Sequence, residues 1–471
     1  MKMKLLVLLM MMISAKASFA QDQCNCEESL TKLIGKIETE YPGFAEKTKD
    51  TLLYHSLKRS LLLESKSLSD SLCLNVLERY TKFFKDSHIW ILPAQKKALG
   101  QGPGFSKKAL EINIKDFEKR ISKTQDQLEG VWKTEGYTIG IIKTASNEYT
   151  GFIMQADSKV WKPKDIKFKL AGKNHFEYLM LDKSLQQGTY SFHEGGILFF
   201  NELKSVFVRQ QAHPVLNASQ IAEKIDEIEG FYVKKLSPKT TLIRLSNFSY
   251  GYVNRIEQLI EKNKELLGQT EYLIIDLRGN GGGTDDAYAK LLPFILTNPV
   301  RSMGVEYLAT QTLIDGLETY KNGLQDVEKN KPEIERINRN VKLFKENLGK
   351  FVNTSGKSVE IDTIQLAAHS PKQIVILSNE RVGSAAENLL LIGKQSKKVK
   401  ILGTPSFGVL DYASARFFKF GCPNYQLLLP TYRSLRLPKY PIDNIGVQPD
   451  TYLDETVTDW TDYALKYLED N

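Results

Sequence analysis

The sequence predicts a mixed α/β protein with a mostly parallel sheet, preceded by a helical N-terminal segment and a small all-β domain. Three observations predict this class. Apolar residues repeat at helical spacing over residues 24–87, and short alternating runs separated by Asn, Asp and Gly fill residues 131–211. From about residue 229 onward, predicted strands alternate with predicted helices. This alternation favours parallel pairing, because parallel neighbours need a crossover connection.

The first twenty residues, MKMKLLVLLMMMISAKASFA, are typical of a signal peptide. Lys2 and Lys4 precede a short apolar core, and small residues lie where a signal peptidase cleaves, so we expect cleavage after Ala20. The apolar run is too short to span a bilayer, and we expect no stable membrane insertion later in the chain. These features predict an exported protein, periplasmic or extracellular.

The net charge and the cysteine content indicate which partners and cofactors the protein is expected to bind. The signal peptide holds three lysines and no acidic residue, so the formal charge falls from +8 to +5 when it is removed. So small a positive charge argues against a nucleic-acid-binding protein. Export favours one disulfide bridge. We expect Cys73 to pair with Cys24 or Cys26, with free thiols as the alternative, and Cys422 to be a free buried thiol. No His or Cys at ligand spacing follows Cys24 and Cys26, so we expect no metal site and no cofactor.

Changes in composition along the chain predict its domain boundaries. They divide the chain into a signal peptide at 1–20, an N-terminal helical segment at 21–124, a small all-β domain at 125–215, and an α/β domain at 225–471 with a helical insertion at 305–352. The insertion is charged, and Pro332 separates its two predicted helices. It is either a solvated helical hairpin or a lid, since long insertions in α/β enzymes often cover the active site.

Two motifs follow predicted buried strands in the α/β domain. IIDLRGNGGGT, residues 274–284, places four glycines after a strand and lacks both the dinucleotide-binding pattern and the P-loop lysine. Glycines also let backbone amides converge on a developing oxyanion. RVGSAAENLL, residues 381–390, places Ser384 at a junction between a strand and a helix. Ser384 is a candidate nucleophile, and a nucleophilic serine needs a base to take its proton.

Together with DNIGVQPD, residues 443–450, these motifs resemble the family of tail-specific, or C-terminal-processing, serine peptidases. The resemblance covers residues 229–455 and implies a crotonase-like peptidase core that hydrolyses peptide bonds through an acyl-enzyme. One branch of the family uses a lysine base in a phrase like TFGKG. Here the phrase is PSFGVLDY, residues 405–412, and Val409 stands at the place of the lysine.

The other branch is similar to the tricorn core protease and uses a histidine from the helical segment before the intervening domain. FFKDSHIWI supplies His88, preceded by Ser87 as the family's orienting serine. Asp443 stands where tricorn-like proteins have an orienting Glu. The resemblance therefore implies Ser384 as nucleophile, His88 as general base and acid, and Ser87 and Asp443 as orienters. A histidine suits this role because it titrates near neutrality.

The remaining candidates complete the predicted site. We expect the backbone amides of Gly282 and Ala385 to form the oxyanion hole, with Gly281 or Gly283 as alternatives in the glycine run. His369, shortly before the serine strand, is the reserve base. Three polar residues beside the motifs are interpreted as scaffold rather than catalytic groups: Asp276, Arg278 and Glu387.

Two other functions fit parts of the sequence. Val409 and Asp443 depart from the two branches, so a catalytically inactive relative that binds peptides in the same cleft is an alternative. A carbohydrate- or ligand-binding protein built on residues 125–215 is a second. The β region itself either binds peptide by strand addition or is a passive structural domain. The partner expected for the whole chain is a peptide or protein substrate, and its oligomeric state stays open.

Overall fold

The computed structural model describes residues 24–93, 109–210 and 216–470, and the predicted signal peptide lies outside these residues. Within them, no helix is both long and apolar enough to cross a membrane. Short 3-10 helices occupy Tyr250–Tyr252 and Asp285–Leu291. The α-helices of the described residues are α1 (Cys26–Glu40), α2 (Phe44–Lys47), α3 (Thr51–Ser65), α4 (Asp70–Lys82), α5 (Ile114–Ile121), α6 (Ala218–Glu229), α7 (Val253–Lys262), α8 (Lys264–Gln269), α9 (Leu292–Ile295), α10 (Gln311–Gly323), α11 (Lys331–Glu346), α12 (Ala385–Gly393) and α13 (Trp460–Glu469).

The strands of the described residues belong to four open sheets and one closed barrel. In chain order they are β1 (Trp90–Pro93), β2 (Gly130–Thr134), β3 (Tyr137–Ala145), β4 (Glu148–Ala156), β5 (Ile166–Ala171), β6 (His175–Leu179), β7 (Leu185–His193), β8 (Ile197–Phe200), β9 (Ser205–Arg209), β10 (Phe231–Lys235), β11 (Thr240–Leu245), β12 (Tyr272–Asp276), β13 (Val300–Met303), β14 (Val305–Leu308), β15 (Phe351–Val352), β16 (Val359–Asp362), β17 (Gln373–Ser378), β18 (Val399–Gly403), β19 (Tyr412–Ala413), β20 (Arg416–Phe418), β21 (Tyr425–Leu429), β22 (Tyr432–Ser434) and β23 (Thr451–Tyr452). The expectation of a mixed α/β fold is therefore confirmed.

The chain divides into two compact units, each built from three stretches of sequence. The first unit comprises Met1–Gln95, Leu308–Gly349 and Ser414–Thr431, and the second comprises Lys96–Tyr307, Lys350–Ala413 and Tyr432–Asn471. The domain boundaries expected from the sequence stay a prediction.

The first unit contains the N-terminal helices, α10, α11 and the antiparallel sheet β1-β21-β20. Asn25 caps α1 by accepting a hydrogen bond from the backbone N–H of Glu28, and Asp50 caps α3 in the same way through Leu53. Pro332 lies in the first turn of α11, where its missing N–H has no cost. The predicted insertion thus contributes its two helices to this unit, while its interpretation as a lid or a hairpin stays a prediction.

Two disulfides crosslink the first unit. Cys26 pairs with Cys73, one of the two pairings expected, and joins α1 to α4. Cys24 pairs with Cys422, so the expectation of a free thiol at Cys422 is wrong. The reason is tertiary, because Gly421 lies against α1, where its carbonyl accepts a hydrogen bond from Lys32 Nζ at 3.0 Å. A pairing across 398 positions leaves no signal in local spacing.

The second unit contains an up-and-down barrel of the eight strands β2 to β9, closed between β2 and β9. Its interior is filled by large apolar side chains, among them Trp132 and Phe200, which are fully buried. Lys167 is buried there too, with its Nζ donating to the carbonyl of Leu179 at 2.7 Å and lying over three aromatic rings. Closure gives each barrel strand two neighbours, while the two readings of this domain, peptide binding by strand addition or a passive structural role, stay predictions.

The second unit also contains a six-stranded sheet in the order β10-β11-β12-β17-β18-β23. Only β10 and β11 are antiparallel, and the other neighbours run parallel. The central strands are buried on both faces, because Leu273 and Ile275 join one apolar cluster and Ile274 joins the other. This double burial explains why these strands are continuous apolar runs rather than alternating ones.

Candidate active site

The glycine motif and the serine motif meet at the carboxyl edge of the parallel sheet. β12 and β17 are neighbours in register, with Asp276 beside Leu377, so the loops that follow them leave the same edge. Two hydrogen bonds join these loops: Gly383 N–H donates to the Asn280 carbonyl at 3.0 Å, and Gly279 N–H donates to Asn379 Oδ1 at 2.9 Å. Motifs a hundred residues apart in sequence therefore form one surface.

Ser384 lies at the N-cap of α12 in a strained conformation. Its φ of 52° and ψ of −123° are rare for a residue with a side chain. Strain of this kind is found where a nucleophilic serine is held on a sharp turn between a strand and a helix. The side chain is partly exposed, and the positive end of the α12 dipole lies beside it. The position predicted for the nucleophile is thus open to substrate and electrostatically suited to developing negative charge.

Gly282 packs against the serine turn so closely that no side chain fits. Its φ is 93°, and a Cβ there would lie 2.5 Å from the carbonyl oxygen of Gly383 and 2.8 Å from Ser384 Cβ. The backbone nitrogen of Ala385 lies at the same contact. The Gly282 N–H, however, donates to Asn280 Oδ1 at 2.9 Å. The two amides expected in the oxyanion hole are therefore neighbours, and one of them is already engaged.

Glu387, in the first turn of α12, is a fully buried carboxylate that organises the serine turn. Its Oε2 accepts hydrogen bonds from the backbone N–H groups of Ser384 at 3.0 Å and Val409 at 2.9 Å. Its Oε1 accepts from Ser406 Oγ and from the Gly408 N–H, both at 2.6 Å. Burial raises the pKa of Glu387, and the four donors oppose that rise. One side chain thus holds the serine loop and residues 406–409 together.

Ser406 extends this network to the closing motif. Its Oγ accepts a hydrogen bond from the Val447 N–H at 2.7 Å while donating to Glu387. Gly408, with a φ of 83°, packs so closely on the backbone of Ile442 and Asn444 that a Cβ would clash. DNIGVQPD is therefore part of the same hydrogen-bonded assembly as Ser384.

Asp443, the expected orienting acid, is held by a second buried carboxylate. Asp443 Oδ1 accepts a hydrogen bond from the Asp411 N–H at 2.8 Å, and Asp411 Oδ2 accepts from the Asp443 N–H at 2.8 Å. Asp411 is buried and pairs with Arg436 at 3.5 Å. This reciprocal pair fixes Asp443 beside Asp411, which stands two residues beyond Val409, whose N–H binds Glu387.

Val409 occupies a buried position with no room for a solvated amine. Its side chain is 6% exposed and lies beside Gly383. A lysine at this place would have to lose its hydration shell, which favours the neutral form.

The three residues interpreted as scaffold, Asp276, Arg278 and Glu387, stabilise two different segments. Arg278 forms a two-pronged pair with Asp276, through Nε at 2.9 Å and Nη2 at 2.7 Å, and Arg244 donates to the Asp276 carbonyl at 2.9 Å. This cluster fixes the end of β12 just before the glycine loop. Glu387 holds the serine turn itself.

Ser87 and His88 belong to the first unit and lie in the turn between α4 and β1. Ser87 is exposed, and the His88 side chain is 16% exposed. Asp86 Oδ1 accepts a hydrogen bond from the His88 N–H at 2.8 Å and lies 4.0 Å from His88 Nδ1. Asp86 Oδ2 accepts from the hydroxyl of Tyr41 at 2.7 Å.

His369, the reserve base, lies at the wrong edge of the sheet. It precedes the first residue of β17, and its carbonyl lies against Gly268 at the end of α8. Ser384 follows the last residue of β17, and a six-residue strand separates the two edges by about 17 Å. His369 is therefore excluded as the partner of Ser384.

Sequence reasoning missed four residues of this arrangement: Asn280, Ser406, Asp411 and Asp86. Each is a buried polar residue inside or beside a motif, where burial without a partner is costly. All four lie inside the quoted motifs, and that position was the signal available for them. Asp411 and Asp86 gave no pattern of their own. Among the described residues, no cluster of His, Cys, Asp and Glu is arranged to hold a metal ion.

Comparison with known proteins gives one family and several structures of similar fold. The model of peptidase family S41 matches residues 239–453. No curated protein is significantly similar in sequence. A serine-to-alanine mutant of CPAF has a TM-score of 0.50 at 12% identity, covering 94% of this chain and 96% of that chain. CPAF complexed with lactacystin has a TM-score of 0.49 at 13% identity, covering 95% of this chain and 97% of that chain.

The tricorn protease has a TM-score of 0.42 at 10% identity, covering 95% of this chain and 37% of that chain. The matched residues 239–453 hold the glycine loop, the serine turn, Glu387 and the closing motif. Residues 239–453 therefore match peptidase family S41, the tail-specific peptidases that the sequence motifs predict.

Proposed function

We propose that this chain is an exported serine peptidase that hydrolyses peptide bonds through an acyl-enzyme, with Ser384 as nucleophile and His88 as general base. The observation that carries the proposal is the strained turn of Ser384, partly exposed at the start of α12 and packed against the glycine loop. Family S41 membership of residues 239–453 supports the reaction class. In this proposal the crotonase-like domain at 225–471 supplies the nucleophile, and the segment at 21–124 supplies the base.

The proposed reaction moves one proton twice. His88 takes the proton of Ser384 Oγ as the oxygen attacks the substrate carbonyl, and returns it to the leaving amine when the peptide bond breaks. Water then attacks the acyl-enzyme by the same route, releasing the second product and regenerating Ser384. Ser87 and Asp443 are the proposed orienting groups, which hold the imidazole and stabilise its charged form.

The proposed oxyanion hole uses the Ala385 N–H at the start of α12. Using the Gly282 N–H as well means breaking its hydrogen bond to Asn280, at a cost of about 1–3 kcal/mol for a buried donor or acceptor left unpaired. This cost favours Gly281 or Gly283 as the second donor.

Export is proposed from the N-terminal sequence together with the two disulfides. Cys26–Cys73 and Cys24–Cys422 use all four cysteines of the chain. Stable disulfides are typical of oxidising compartments and rare in the cytosol.

A specific observation favours one alternative, a catalytically inactive relative that binds peptides. The Gly282 N–H is engaged by Asn280, and Val409 replaces the lysine of one branch. A fluorophosphonate probe separates the two functions, because only an activated serine reacts with it. Labelling of the wild-type protein that is lost in Ser384→Ala supports the peptidase. Equal labelling of both proteins excludes Ser384 as an activated nucleophile.

The proposed pair is tested by the non-additivity of residues that act as a unit. Ser384→Ala and His88→Ala should each abolish most turnover of a peptide substrate, and the double mutant should be hardly slower than either single mutant. Asp443→Asn should leave measurable residual activity, because it acts only through His88. The matched controls Ser219→Ala and His175→Ala change exposed residues and should leave kcat unchanged. Wild-type turnover in His88→Ala would show that the base lies elsewhere.

A further inference from the structure

The turn that carries His88 contains a buried acid, Asp86. Asp86 lies two residues before His88, and its side chain is only 1% exposed. A buried carboxylate is costly unless hydrogen bonds or a nearby cation compensate for its lost hydration. The role of the buried Asp86 carboxylate can therefore be inferred from the groups that contact it.

Each oxygen of Asp86 has a defined partner. Oδ2 accepts the hydroxyl of Tyr41 at 2.7 Å, and Tyr41 is itself buried at the end of α1 against the ring of Phe84. Oδ1 accepts the backbone N–H of His88 at 2.8 Å and lies 4.0 Å from His88 Nδ1. The charged groups that face it are His88 on its own turn and Lys47 at the end of α2.

A purely structural role accounts for only part of this arrangement. Aspartate often accepts a hydrogen bond from the N–H two residues later, which stabilises a turn. An asparagine or an exposed aspartate fills that role equally well, without the cost of burying a charge. Burying the charge gains something only where a positive charge develops nearby, and the imidazole ring lies within ion-pair distance.

We propose that Asp86 is a further residue that positions His88 for proton transfer, in addition to Ser87 and Asp443, holding Nδ1 of the imidazole so that Nε2 points away from Asp86 as the base. This inference rests on the proposed function and deepens it. In this proposal the proton moves from Ser384 Oγ to His88 Nε2 and on to the leaving amine, and it does not pass to Asp86. The separation of 4.0 Å is longer than a hydrogen bond, and catalytic hydrogen bonds tighten in the complex with substrate.

Asp86→Asn tests the charge without changing the shape. The amide oxygen still accepts the His88 N–H, so the turn is retained. We expect kcat to fall about 10- to 100-fold with KM unchanged, and the acidic limb of the kcat/KM profile to move to lower pH. Asp50→Asn, an exposed helix cap in the same unit, is the matched control and should change neither quantity. Circular dichroism checks that each variant is folded.

Nuclear magnetic resonance of the imidazole nitrogens gives a readout that needs no activity. In a Ser384→Ala background, Asp86→Asn should reduce the share of the tautomer that carries its proton on Nδ1. Tyr41→Phe leaves the carboxylate but removes one of its donors. With one donor fewer, the carboxylate should stabilise the charged imidazole more strongly, so the acidic limb should move slightly to higher pH. This variant replaces Asp86→Asn in the test if that variant does not fold.

The outcomes separate this inference from the proposed function. If His88→Ala is inactive while Asp86→Asn keeps the wild-type kcat, pH profile and tautomer, then Asp86 is a turn residue and the inference is wrong. If His88→Ala turns over at the wild-type rate, the proposed base is wrong, whereas the tautomer still reports whether Asp86 holds the ring.

Discussion

Replacing Glu387 by Gln should loosen the serine turn more than any other single-atom change in the site. The substitution keeps the shape of the side chain and exchanges one carboxylate oxygen for an amide NH2. All the backbone groups that bind Glu387 are donors, namely the N–H groups of Ser384, Gly408 and Val409. Whichever oxygen of Glu387 is replaced by the amide NH2, at least one of these backbone N–H groups therefore loses its acceptor.

The size of the effect follows from these contacts. With the NH2 at the Oε1 position, Ser406 can turn its hydroxyl but the Gly408 N–H is left unpaired; at the Oε2 position, Ser384 and Val409 both lose their acceptor. An unpaired buried donor costs about 1–3 kcal/mol, and the change also removes charge assistance from the remaining bonds. Relief of the buried charge offsets part of this. We expect Glu387→Gln to destabilise the protein by about 2 kcal/mol, and Glu387→Ala to cost more.

Urea unfolding followed by tryptophan fluorescence measures this loss, and peptide turnover measured in parallel reports the geometry of Ser384. We expect a lower midpoint and a lower kcat for Glu387→Gln. Glu261→Gln, an exposed residue paired with Lys264 in the same unit, is the matched control and should leave both quantities unchanged. A Glu387→Gln protein with the wild-type midpoint and kcat would refute the view that this carboxylate holds the turn.

Three further predictions follow from other contacts. Val409→Lys should not restore turnover to His88→Ala in a peptide assay, because the longer side chain overpacks the buried position of Val409; full rescue would contradict this. Burial lowers the pKa of Lys167 to about 7, so between about pH 7 and pH 10 the folded barrel binds fewer protons than the unfolded chain. The stability of the protein should therefore rise with pH over this range. The urea midpoint of the wild-type protein should show this rise, and that of Lys167→Met should not. Cys422→Ser should lower the melting temperature of the oxidised protein, because it opens the Cys24–Cys422 crosslink; an unchanged melting temperature would count against a stabilising role.

The parts of the fold that sequence predicts are those that depend on local periodicity. Apolar spacing over residues 24–87 predicts helices, and α1 to α4 lie there; the alternating runs over 131–211 predict strands, and β2 to β9 lie there. Barrel closure was not predicted, because nothing in a strand's own alternation says which partner lies at its edge. That pairing is decided by contacts between β2 and β9, about 75 residues apart, near Trp132 and Arg209.

The residues of the candidate site also divide into those with a local sequence signature and those defined only by tertiary contacts. Ser384 and the glycine loop carry local signatures, a glycine-rich turn and a serine before a helix, and both were found. Glu387 was recognised only as scaffold, since its four hydrogen bonds come from segments up to 22 positions away. Asp411 and Asp86 were missed because a buried carboxylate in a loop looks the same in sequence as an exposed one. Burial is a property of the tertiary structure.

The crosslink between Cys24 and Cys422 has a consequence for how the chain is made. Cys24 and Cys422 are 398 positions apart, so Cys422 is synthesised long after Cys24. Cys24, Cys26 and Cys73 are all synthesised early, near the start of the chain. In the export that we propose, the early cysteines can therefore react with one another before Cys422 is available, and a bridge between Cys24 and Cys73 is the accessible non-native product. Maturation of this chain should then depend on a thiol–disulfide exchange catalyst, which releases Cys24 for its late partner.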